Sequence, residues 1–125
     1  MSHRYEVDIE KLDKNKLHLK YVVSYNHLLK VFYVNWVRDW KFHSDCTVPS
    51  GFKLLTAGWL SVPREEMMKD DYSNAETWGG SVGFNVCPHP RDLAMLKQNL
   101  TDGEAFFDND GKPVDEETIT KGTKK

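Results

Sequence analysis

Only two cysteines, Cys46 and Cys87, occur in the 125 residues. A domain of this length can bury a core without disulfides or metals, so neither is required for folding. No apolar run approaches the length of a membrane span. The first twenty residues are charged throughout and do not read as a secretory leader. A cytoplasmic location is expected, with both cysteines as thiols or metal ligands rather than a disulfide. In that compartment the sequon Asn99-Leu100-Thr101 carries no meaning. The net charge is only −2, too small to indicate nucleic acid or an anionic membrane.

Phosphate-loop and calcium-loop signatures are missing as well. Trp78-Gly79-Gly80 has no lysine and hydroxyl downstream of it. Asp108, Asp110 and Gly111 resemble a fragment of a calcium loop, but the closing glutamate is replaced by Ile119. An ordinary turn is the expectation there.

What is present is a rich set of large aromatics, Trp36, Trp40, Trp59 and Trp78 foremost. Such side chains fill cores, and where exposed they anchor partners. Charge is unevenly spread. Residues 1 to 60 carry nine positive and six negative charges, residues 61 to 125 eight and thirteen. The acidic excess gathers toward the end of the chain, which suggests a solvated tail.

Hydropathy patterning gives an order of elements. Tyr5, Val7 and Ile9 alternate with charged residues, and Leu17, Leu19, Tyr21, Val23 and Tyr25 alternate again after a polar turn. This predicts two strands forming a hairpin. Between Asn26 and Phe42 the β-branched and aromatic content favours a strand. The spacing of Leu29, Phe32, Trp36 and Trp40 favours a helix, with His27, Lys30, Arg38 and Lys41 opposite and Asn26 as its N-cap; a helix is the expectation. Residues 43–51 read as a loop. Residues 52–62 read as a strand with a bulge at Gly58, followed by a short helix opened by Pro63. A loop over 70–80 leads to a strand at Val82, Phe84 and Val86. A helix then runs from Pro90 to Leu100 with Leu93, Leu96 and Leu100 as its stripe, and Phe106-Phe107 form a short strand entering a turn. From Asp115 apolar residues nearly vanish, as in a disordered segment.

The expected fold class is α+β: a single small domain over residues 1–114. Its mainly antiparallel sheet opens with a β-hairpin, two or three helices pack on it, and a charged disordered tail covers 115–125.

One constellation invites chemistry. His43-Ser44-Asp45-Cys46 and Cys87-Pro88-His89 each place a histidine within three residues of a cysteine. Two thiolates and two imidazoles could complete a tetrahedral zinc shell of His43, Cys46, Cys87 and His89, although the spacing lacks the repeated two-residue gap of strong zinc motifs. Alternatively Cys87 and His89 could act as nucleophile and base in a small hydrolase or transferase, with Cys87 near a helix start. No orienting acid or oxyanion donor accompanies them, and the same residues serve equally well as plain loop and core residues. Without a complete catalytic set or cofactor loop, the leading expectation is a non-enzymatic binding domain. It would contact a protein partner through exposed aromatics around Trp59 or Trp78 and bind no cofactor unless zinc. The short, motif-poor chain is compatible with an accessory protein of a virus or mobile element.

Overall fold

The computed structural model describes residues 14–38, 41, 43–69, 72–80, 86–98 and 103–115. Five strands form one sheet: β1 (Lys16–Asn26), β2 (Val31–Arg38), β3 (Lys53–Pro63), β4 (Glu76–Trp78) and β5 (Glu104–Asp108). The order is β4-β3-β1-β2-β5, and every neighbouring pair is antiparallel. Two short helices accompany them, α1 (Arg64–Met67) and α2 (Pro90–Leu96), with one 3-10 turn at His43–Asp45. The expected α+β class is the one observed.

Central β1 is buried along nearly its whole length, so both faces of the sheet must be covered. Its alternation divides the molecule. Leu17, Leu19, Tyr21 and Val23 point to one face, together with Val34, Trp36, Leu60 and Val62, and α2 packs there through Met95 and Leu96. His18, Lys20, Val22 and Ser24 point to the other, with Ala57, Trp59 and Ser61 of β3. There the β2–β3 connection crosses the sheet: Cys46 packs on Val22 and Ala57, and the Thr47 amide donates to Asn35 Oδ1 at 2.6 Å. Each fully buried Val or Leu in the helix-side cluster contributes about 1.5–3 kcal/mol.

Over residues 26–38 the helix expected across 26–42 is instead a turn and a strand; residues 39, 40 and 42 lie outside the described residues. Along β2, Phe32, Val34 and Trp36 alternate onto the helix side, and Val31, Tyr33, Asn35 and Val37 onto the loop side. Two coverable faces and β-branched side chains favour extended backbone over a helical stripe. Asn26 does satisfy backbone amides, since its Oδ1 accepts from Leu28 N and Leu29 N at 2.9 and 3.0 Å. It closes the β1–β2 turn rather than opening a helix. Lys30, at φ 57°, completes the reversal.

The observed hairpin is therefore β1–β2; the first strand expected for it, Tyr5 to Ile9, lies outside the described residues. So do most of the strand expected at 82–86, the last positions of the helix expected to reach Leu100, and the tail beyond Asp115. Pro63 sits one residue ahead of α1, at its N-cap. The loop expected at 70–80 contains β4. The bulge falls between Val23 and Ser24 of β1, where Thr56 and then Leu54 are their partners and Leu55 is left over, and not at Gly58.

Gly58 has a different task. A Cβ there would lie 2.6 Å from Pro88 Cγ, 3.0 Å from the Trp78 carbonyl oxygen and 3.2 Å from Tyr21 Cε2. The glycine lets the segment leading into α2 press directly on the sheet. Gly58→Ala is expected to cost about 1–3 kcal/mol through overpacking and to lower the thermal midpoint by about 5–10 °C. A midpoint within about 1 °C of the parent would show that the Pro88 segment has room to move away.

Candidate functional site

The α2 end of Cys87-Pro88-His89 is built as a helix cap. His89 Nδ1 accepts from Arg91 N at 3.1 Å, and Asp92 Oδ2 accepts from His89 N at 2.8 Å, a reciprocal cap with Pro90 at the first helical position. Asp92 is 0% exposed. Its oxygens also accept from Tyr21 Oη at 2.8 Å and Thr56 Oγ1 at 3.1 Å. Burial first, and then the adjoining Asp92, push the Tyr21 phenol far above its ordinary value, so it remains a hydrogen-bond donor. The Arg91 guanidinium lies over the Phe32 ring, 5.2 Å from its centroid.

The other half of the quartet lies in the β2–β3 connection, where Cys46 packs in one cluster with Val22, Ala57 and Val86, the residue before Cys87. His43 Nε2 donates to the Gly58 carbonyl at 2.8 Å. Burial lowers the His43 pKa below its ordinary value; the bond to Gly58 acts against this, and nearby Lys20 adds to the lowering. Burial likewise pushes the Cys46 thiol up to about 12, with Asp45 adding and Lys20 opposing. Its Sγ faces the Lys20 carbonyl. Cys87 is exposed, and both cysteines are free thiols. Among the described residues no three His, Cys, Asp or Glu side chains stand together as a metal-ligand set. His43, Cys46, Cys87 and His89 are all described, and the structure does not assemble them into one. Nor does His89 bond to Cys87; its Nδ1 serves the Arg91 amide.

Trp59 and Trp78 stack with centroids 5.2 Å apart, and Lys20 Nζ lies 4.9 Å from the Trp59 ring. Trp59 is 3% exposed and Trp78 half-buried, so this pair is interior packing and not the exposed anchor expected of it. Beside it runs a polar row that sequence reasoning missed: Ser61 faces His18 across one strand pair and Glu76 across the other. Ser61 Oγ accepts from Trp78 Nε1 at 2.7 Å and lies 2.7 Å from His18 Nδ1. A hydroxyl paired to an imidazole is the start of a nucleophile. At 2% exposure of Ser61, however, the hydroxyl is closed to a substrate, and the row satisfies buried polar groups instead. Only the strand register brings these residues together, so no local motif could have revealed them.

One group of accessible features lies at the end of the sheet that carries the β1–β2 turn. The register places the β1–β2 turn beside the end of β5 and the start of β3. Leu28, at the tip of that turn, is 83% exposed. Nearby, half-buried Phe52 and Phe106 pack edge-on against each other, with the buried Tyr33 ring against both, and Tyr25 Oη donates to Asn109 Oδ1 at 2.8 Å, tying the turn after β5 to the end of β1. No described helix is long and apolar enough to cross a membrane. Comparison with known protein families, curated proteins and solved structures yields no match.

A pH dependence follows from His43. Its folded pKa lies below the unfolded value of about 6.5, so the unfolded chain binds the proton first. This part of the stability is present above pH 6.5 and is lost as pH falls from there toward the depressed folded value. His43→Gln removes the titration. Unfolding free energies measured from pH 7.5 to 5 should fall more steeply in the parent than in the variant, by up to about 1.4 kcal/mol per pH unit. Parallel profiles would show that His43 is not held neutral.

Proposed function

We propose that this chain is a non-enzymatic binding domain that engages a protein partner through the end of the sheet carrying the β1–β2 turn. The observation that supports this reading is Leu28. A large apolar side chain at 83% exposure is ordinarily tolerated on a mobile loop. Here the backbone beneath it is pinned by two bonds from Asn26 and by the left-handed Lys30. A fixed apolar projection loses little entropy on contact, the condition for an anchor residue. Phe52 and Phe106 supply further apolar surface beside it, and exposed His27, Lys30 and Lys53 supply a polar rim. A cytoplasmic setting belongs to the same proposal, supported by the two free thiols.

The test is affinity purification from the native source with the full chain, with Leu28→Asp, and with Met68→Asp as a control. Met68 is 88% exposed, just beyond α1. Both variants should melt within about 2 °C of the parent, since neither alters the core. A partner retained by the parent and by Met68→Asp should be lost with Leu28→Asp, and the Kd of the purified pair should weaken about 30-fold. A Leu28→Asp protein that holds the partner with unchanged Kd refutes the assignment.

A further inference from the structure

The end of the sheet opposite the β1–β2 turn holds a cavity of about 280 Å³. Leu17 and Leu19 of β1, Trp36 of β2 and Met67 of α1 give it apolar walls. Gly103 closes part of the rim. Its carbonyl accepts from Trp36 N and Asn35 Nδ2, each at 2.9 Å, and its φ of 77° suits a residue without Cβ. Arg38 is the one charged residue among the described residues of the lining. It is exposed, and its guanidinium has no hydrogen-bond or ion partner among the described residues. Its register partner on the same face is Leu19, so the cation stands directly beside the apolar wall.

An apolar recess rimmed by one unmatched guanidinium discriminates in two ways. The walls favour hydrocarbon over water. The planar fork favours a carboxylate, which it can hold by two parallel hydrogen bonds. The volume lies just under the usual range of roughly 300–1,000 Å³ for ligand pockets, which suits a short hydrocarbon chain better than a bulky cofactor. We propose that this cavity binds a small amphipathic carboxylate, its hydrocarbon against Leu17, Leu19 and Trp36 and its carboxylate on Arg38. The site lies away from Leu28 and stands or falls independently of the partner surface.

The experiment titrates the full chain with octanoate, octanol and acetate, following backbone amide and indole signals by NMR. Octanoate should give saturable shifts centred on Trp36, Arg38 and Gly103. Octanol, with the same tail and no charge, should bind at least about tenfold more weakly, and acetate should give no saturable shift. Arg38→Gln should weaken octanoate by about tenfold and leave octanol unchanged. The comparison of octanoate with octanol on the parent protein holds even if that variant folds poorly. No saturable octanoate shift, shifts centred elsewhere, or equal affinity for octanoate and octanol would overturn the proposal. Sedimentation with phosphatidylglycerol vesicles tests the other amphipathic anion an arginine could hold, the phosphodiester headgroup of a membrane lipid. Vesicle binding by a protein that ignores free octanoate would assign Arg38 to a membrane lipid and likewise overturn the assignment of a free ligand.

Discussion

The Asp92 carboxyl group joins the two layers of this protein. It is wholly buried, and it accepts from β1 through Tyr21, from β3 through Thr56 and from the start of its own helix through the His89 amide. A buried acid without partners would cost several kcal/mol; three donors and the Arg91 guanidinium, 3.9 Å away, compensate it. Hydrophobic contacts of Met95 and Leu96 hold α2 against the sheet without direction. The Asp92 bonds supply direction, fixing which turn of the helix meets which strands. Gly58 complements them by allowing the approach of Pro88 that sets the helix start at this depth.

The loop face follows a different logic. Its rows alternate large rings with polar groups: Trp78, Trp59 and Lys20 in one, Glu76, Ser61 and His18 in the next. Among the described residues its buried polar side chains find partners within the sheet or in the crossing connection, as with His43 on Gly58 and Asn35 under Thr47. Chemistry-bearing residue types are thereby consumed in structure. Cys46 is held as an unreactive thiol, His89 as a cap and Ser61 as a bridge. What remains available to a partner is at the ends of the sheet, where turns and strand termini leave side chains unmatched. In small β-rich domains a rigid interior commonly positions the loops that carry binding, and the proposed partner surface lies at such a place.

Much of the sheet was legible because its signal is local. The alternation from Leu17 to Tyr25 reports a strand whatever lies around it, as does the apolar run ending at Val62, and Phe106-Phe107 before Asp108-Asn109-Asp110-Gly111 behaved as a strand entering a turn. Residues 26–38 misled for a physical reason. An asparagine that caps a helix and one that closes a turn accept from the same amides two and three residues on, and Leu29, Phe32 and Trp36 satisfy a helical stripe by coincidence. Tertiary pairing with β1 and β5 decided the outcome. Non-local geometry was out of reach of sequence reasoning. The pairing of Cys46 with Cys87 and their histidines rested on proximity along the chain, and among the described residues no metal-ligand set joins them. The Asp92 acceptor set draws on residues 36 and 71 positions away, beyond the reach of any local pattern.

If Asp92 fixes α2 on the sheet, removing it must cost more than any one of its bonds. Urea unfolding of Asp92→Ala, Tyr21→Phe and the double variant measures this directly. The Asp92→Ala chain leaves two buried hydroxyls and the helix cap without an acceptor, and should lose about 3–5 kcal/mol. Tyr21→Phe should lose about 1–2 kcal/mol, and the double variant less than the sum, because the residues share one bond. An Asp92→Ala protein within about 1 kcal/mol of the parent, or strictly additive losses, would contradict the role assigned to this carboxyl group.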